Sequence, residues 1–222
     1  MNSLAAILIL SAVHLSMGFF SKVNPPRLLS FGSGVAIAYI FVDLLPKLCV
    51  NDSIIKASGL FPFMEKHVYI LALIGFLVFY LVEKKKFEKF SILSYMIFNF
   101  MIGYAIADKD DPDVRPLYLF TIAIGLHYFT TDYAMREKTP VIYHQLIRWL
   151  AVLSLIGGWA LSYVYVLPET AVALVAAYIA GGVILNVTRH ELPADRPNDT
   201  GSFLLGSFIY SFLILLPHNL LV

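Results

Sequence analysis

Eight apolar stretches, each bounded by charged or turn-forming residues, constrain this chain more than any other feature. They fall at 4–20, 28–45, 68–82, 90–107, 117–134, 142–167, 170–188 and 202–216. A helix needs roughly 20 mostly apolar residues to cross the hydrocarbon core of a bilayer, and most of these stretches meet that length. The third is the weakest, and its outer end leans on Glu65, Lys66 and His67 as interfacial residues. The breaks between them carry turn chemistry: Asn24-Pro25-Pro26, Phe61-Pro62, the lysine run 84–86, the segment 108–116, the segment 138–140, Leu167-Pro168 and the segment 192–201. Eight spans take up most of the 222 residues, so loops must be brief and 1–222 reads as a single transmembrane domain. The sequence therefore predicts an all-α integral membrane protein, an eight-helix bundle. Composition agrees: 59% of residues are hydrophobic and 14% charged, with a mean hydropathy of +0.77, a balance foreign to a water-soluble domain. A net charge of +1 excludes the basic face that a nucleic-acid partner demands. The bilayer itself is the expected partner.

The first stretch has no basic residue ahead of it and no small-x-small cleavage site behind it, so it reads as a first helix and not as a signal peptide. Orientation follows from basic residues, which are retained on the cytoplasmic side. Loops after odd-numbered spans hold Lys22, Arg27, Lys84, Lys85, Lys86, Lys89, Arg136, Lys138, Arg148, Arg189 and Arg196, whereas the remainder hold Lys47, Lys56, Lys66, Lys109 and Arg115. Both termini are thus expected outside the cytoplasm, in a plasma (inner) membrane protein. The single cysteine, Cys49, can form neither an intrachain disulfide nor a cysteine metal cluster.

An internal echo adds a second constraint. Gly34 precedes Pro46 by twelve residues, in a segment ending Asp43-Leu44-Leu45-Pro46. Gly181 precedes Pro193 by the same interval, in a segment ending His190-Glu191-Leu192-Pro193. The loop charges make the second and seventh helices run in opposite directions. Such a pattern is that of an inverted repeat relating the first and last helices, the device by which many transporters build two gates around a central site. Small residues for close packing and Leu-Pro as a helix stop give the plainer explanation.

These residues resemble the ZIP family of divalent-metal (zinc/iron) transporters. Phe31-Gly32-Ser33-Gly34 through Asp43-Leu44-Leu45-Pro46 is similar to the family's second helix, and Leu73-Ile74-Gly75 through Val82-Glu83-Lys84 to its third. Tyr178-Ile179-Ala180-Gly181-Gly182 through Leu192-Pro193, with Gly206, is similar to its seventh and eighth. The resemblance implies an eight-helix permease with a metal site on the fourth and fifth helices. At Phe98-Asn99-Phe100-Met101-Ile102-Gly103 this chain keeps the asparagine and glycine of the family pattern His-Asn-x-x-Asp/Glu-Gly, but both strong ligands are replaced by apolar side chains. At His127-Tyr128-Phe129-Thr130-Thr131-Asp132, compared with His-Glu-x-Pro-x-Glu, the histidine and a terminal acid remain. The implied metal ligands are therefore His127, Asn99 and Asp132, an incomplete set beside the four that zinc takes. Zinc or another divalent cation is the transported ion implied, and no resident cofactor is expected. A second copy of the chain is a candidate partner.

Ionisable groups inside a membrane helix cost a few kcal/mol, so those that persist face the bundle interior or a wet path. His127, Asn99, Thr131 and Asp132 are the central candidates for a substrate pathway. Asp43 near one face and His190 with Glu191 near the other are candidates for its two mouths, while Ser154 and Asn186 are candidates to complete a polar core. Each also has a packing explanation: Asn99 as interhelical glue, Asp132 solvated beside Arg136, the others as interfacial or helix-packing residues. His14, mid-span with no acidic neighbour in sequence, reads as a satisfied packing residue. The leading function is a divergent ZIP-like transporter, a candidate divalent-cation permease. Its alternatives are a transporter of another substrate and a transport-inactive scaffold, the latter motivated by Phe98 and Ile102. No His-Glu-x-x-His, Gly-x-Ser-x-Gly or paired-aspartate motif occurs, so the chain is not expected to be an enzyme.

Overall fold

A computed structural model describes residues 2–17, 26–59, 66–84, 88–107, 114–191 and 199–215, with backbone alone at 88, 114–116, 190 and 191. The described residues form eight helices. They are α1 (Ser3–Ser16), α2 (Pro26–Ala57), α3 (His67–Lys84), α4 (Glu88–Ile106), α5 (Val114–Lys138), α6 (Pro140–Val164), α7 (Glu169–Asn186, continued by a π turn at Val187–Glu191) and α8 (Thr200–Leu215). Five of them, α2, α3, α4, α6 and α7, are long and apolar enough to cross a membrane, and α1 and α8 are shorter apolar helices. The expected ends of the first and eighth spans, residues 18–20 and 216, lie outside the described residues, as do the acidic run 108–113 and Pro193.

The second helix differs from its expected extent. The apolar pattern ends it at Leu45, ahead of a proline, yet the helix continues through Pro46 to Ala57. Its continuity has a local cause. A π turn at Ile40–Leu44 precedes the proline, with the Leu45 N–H reaching back to the Ile40 carbonyl, so the ladder loosens where Pro46 has no N–H to contribute. Two more π turns occur, Tyr143–Ile147 in α6 and Val187–Glu191 in α7, and the latter stands at the same distance past Gly181 as the first does past Gly34.

Large apolar side chains face outward as well as into the core, and polar groups are buried among them. Leu8, Phe41, Leu73, Leu77, Leu153, Phe208 and Phe212 are exposed large apolar side chains, whereas His14, Asn99, His127, Thr131, Asp132 and Arg136 are buried. In water such a surface would be a liability; toward lipid it is the expected one. Among the described residues the helix α5 supplies more of the buried polar groups than any other helix, and it is the least apolar of the long helices. Packed against α1 and α2, it holds those groups within the bundle.

Three helix pairs approach closely enough to require glycine on both sides. A Cβ at Gly34 would overlap the Phe203 carbonyl oxygen, and one at Gly206 that of Phe31, locking α2 to α8. Gly75 and Gly181 stand in the same reciprocal relation, against Tyr178 and Ala72, between α3 and α7. Gly103 and Gly158 repeat it, against Leu155 and Phe100, between α4 and α6. Small residues of this kind let apolar helices gain dispersion contact where the hydrophobic effect offers none.

Candidate functional site

The sequence-predicted residues separate into two groups. Asn99 on α4 and Asp132 on α5 converge on His14 of α1. His14 Nδ1 lies 2.7 Å from Asp132 Oδ2, and all three residues are fully enclosed. Asn99 donates through Nδ2 to the Tyr95 carbonyl at 2.8 Å, one turn earlier on its own helix, which turns its Oδ1 toward His14. His14 Nε2 therefore donates to Asn99 Oδ1, at 2.9 Å, and one further proton is shared between Nδ1 and the carboxylate. The Tyr95 hydroxyl donates to the other carboxylate oxygen, Asp132 Oδ1, at 2.9 Å. From α6, Tyr143 donates to the His14 carbonyl at 3.2 Å, and the Tyr128 ring lies 4.4 Å from the imidazole. Helices α1, α4, α5 and α6 thus meet on one buried polar knot.

Two expectations change here. Asp132 does not reach water beside Arg136; it is fully buried, and Arg136 donates instead to the Met17 carbonyl at 3.4 Å and lies over the Tyr133 ring. The reason is the rotation of about 100° per residue around a helix, which turns Asp132 toward α1 and away from the face of His127. Nor does the structure bring His127, Asn99 and Asp132 together: the latter two spend their oxygens on His14 and Tyr95, and His127 stands elsewhere. Among the described residues no group of three or more His, Cys, Asp or Glu side chains is placed to hold a metal ion.

The second group forms a crevice between α3, α4, α5 and α7. Its inner chamber, about 90 Å³, is lined by His127 and Thr131 of α5, Ser91, Ser94, Tyr95 and Phe98 of α4, Asn186 of α7 and a set of apolar side chains. The His127 ring meets Phe98 edge to face, with centroids 5.7 Å apart. Asn186 donates through Nδ2 to Thr131 Oγ1 at 3.1 Å, which joins α7 to α5 across the crevice. An outer chamber of about 120 Å³ shares Phe79, Ser91, Thr131, Met135, Gly182 and Asn186 with the inner one, and adds Glu83 and Lys138. Glu83 also holds Arg189 at 3.3 Å. These residues lie at the C-terminal ends of α3, α5 and α7, so the crevice leads from His127 toward the face where lysines and arginines concentrate.

Other candidates fall outside both groups. Asp43 sits in the π turn of α2 and is paired at 2.8 Å with Lys47. His190 and Glu191 belong to the π turn of α7, and their side chains lie outside the described residues. Ser154 is half-buried on α6 and lines neither chamber. Sequence reasoning missed Ser91, Ser94 and Tyr95, which face the crevice one helical turn or less apart; two serines and a tyrosine in an apolar helix were the available signal. It also read His14 as a packing residue without its partners. Comparison of the chain with protein-family models, with curated proteins and with solved structures finds no significant match.

Proposed function

We propose that this protein is an integral membrane transporter of ZIP-like architecture, whose substrate path is the crevice leading to His127. The observation that carries the proposal is the convergence of His127, Thr131 and Asn186, three polar residues within the bundle from two helices, on one chamber that continues toward the charged end of the bundle. Polar groups held at mid-bundle beside a cavity are what a solute path through lipid requires.

Two further features favour an inverted repeat as its framework. Exchanging α2 with α7 and α3 with α8 turns the α2–α8 glycine pair into the α7–α3 glycine pair, Gly34 matching Gly181 and Gly206 matching Gly75. The same exchange matches the π turn carrying Asp43 to the one carrying His190 and Glu191. Two halves so related can rock about the central knot of His14, Asn99 and Asp132 and open the crevice to each side in turn, with both termini extracytoplasmic. Within this reading the divalent-cation form has His127 as its one strong ligand among the described residues of the inner chamber, with Glu83 standing apart in the outer one. Phe98 against His127 favours a second reading, a transport-inactive scaffold.

Reconstitution separates these readings. Purified protein in vesicles is expected to admit at least one solute from a panel of divalent cations and small neutral compounds faster than empty vesicles, with loss of that flux in His127→Ala. Zinc and manganese titrations decide the cation form. If no solute enters faster than through empty vesicles, transport is rejected and the scaffold reading stands.

A further inference from the structure

The crevice holds no charged side chain in its inner chamber. Its lining is Ser91, Ser94, Thr131 and Asn186, with His127 and Tyr95, and otherwise phenylalanine, methionine, isoleucine, valine and glycine. At the outer chamber Glu83 and Lys138 bring one charge of each sign. We infer that the substrate class of this path is a small uncharged hydroxylated solute, of about the size of glycerol, and not a metal ion or an organic ion. This inference rests on the transporter reading above and specifies its cargo.

Three properties of the chamber lead there. A hard divalent cation exchanges its water for six or more oxygens, with carboxylates prominent among them, and the chamber offers none. The two nearest candidates for that duty are already engaged: the Asp132 oxygens by His14 and Tyr95, and Asn99 Oδ1 by His14. An organic anion or cation would also leave its hydration without meeting an opposite charge inside, a heavy penalty in a medium of low dielectric. Hydroxyl and carboxamide groups, in contrast, both donate and accept, and so match a solute whose hydroxyls do the same. The remaining apolar lining accommodates the carbon skeleton of such a solute. A volume of about 90 Å³ suits a small solute.

The test uses the purified full-length chain in proteoliposomes, with glycerol, lactate and manganese as probes. Glycerol influx, followed by light scattering, is expected to run several-fold faster than into empty liposomes, with lactate and manganese at the empty-liposome rate. Ser94→Leu, which fills the inner chamber, is expected to return glycerol to the empty-liposome rate. Thr131→Val keeps the shape and removes one hydroxyl, so it guards against misfolding of the bulkier variant and is expected to slow glycerol several-fold. Glycerol flux indifferent to both substitutions would overturn the assignment to this chamber. Entry of manganese or lactate with glycerol excluded would overturn the substrate class and leave the transporter reading intact. Entry of no probe and of no other solute in the panel would overturn both.

Discussion

At the scale of the residue, His14 carries the most consequential contact in the bundle. Its imidazole is enclosed and holds Asp132 on one nitrogen and Asn99 on the other. Removing one member of a buried ion pair strands the other, and the loss exceeds what the pair contributes as a unit. His14→Ala is therefore expected to destabilise the protein by about 3–5 kcal/mol in detergent unfolding. The double substitution His14→Leu with Asp132→Leu is expected to lose less than either leucine substitution alone, as a double-mutant cycle will register. Tyr95→Phe removes a hydroxyl from the same carboxylate and is expected to cost about 1–3 kcal/mol in the same measurement. His127, Thr131 and Asn186 were legible as polar residues in apolar spans, because the bilayer makes each of them costly and hence informative. The partners of His14 were not legible. They stand 85 and 118 residues away, and no periodicity within one helix records a pairing between helices.

Between elements, close backbone approach governs stability, and adjacent glycines separate its consequences. A Cβ at Gly158 would overlap the Phe100 carbonyl oxygen, whereas one at Gly157 would meet only the Phe100 ring at 3.8 Å. Gly158→Ala is expected to destabilise by about 1–3 kcal/mol, as overpacking does, and Gly157→Ala to leave the thermal midpoint nearly unchanged. The start of α8 offers a pH-dependent counterpart. Asp199 accepts the Ser202 N–H at 2.9 Å and faces Arg27 at 3.2 Å. The Ser202 backbone hydrogen bond foremost, with Arg27 assisting, holds its carboxyl below the usual carboxylate range. The capping contribution is complete above the unfolded-state value of about 3.9 and is lost as pH falls through the lower folded one. A thermal-shift series is expected to show Asp199→Ala lowering the midpoint at neutral pH, with the difference from wild type narrowing at strongly acidic pH. The helices α3 to α7 have both ends close to those the apolar runs suggest, since the length of an apolar helix is written directly in composition. The continuation of α2 past Pro46 was hidden because a proline signals a stop unless a π turn loosens the ladder before it.

Across the whole molecule, large apolar side chains face outward as well as into the core, as the hydropathy foretells, and many of the buried polar ones gather on α5. The direction of the crevice needed the structure, because its lining comes from four separate helices. A path from the basic face of the bundle to His127 is open to measurement by the accessibility of thiols placed along it. In a Cys49→Ser background, which removes the only cysteine, Ser91→Cys and Asn186→Cys place thiols in the lining of both chambers. A small membrane-impermeant thiol reagent is predicted to label both in inside-out vesicles, from the side of Lys84 and Lys138, and neither in intact cells. Labelling of neither position from that side, or labelling from the opposite side alone, would contradict the account.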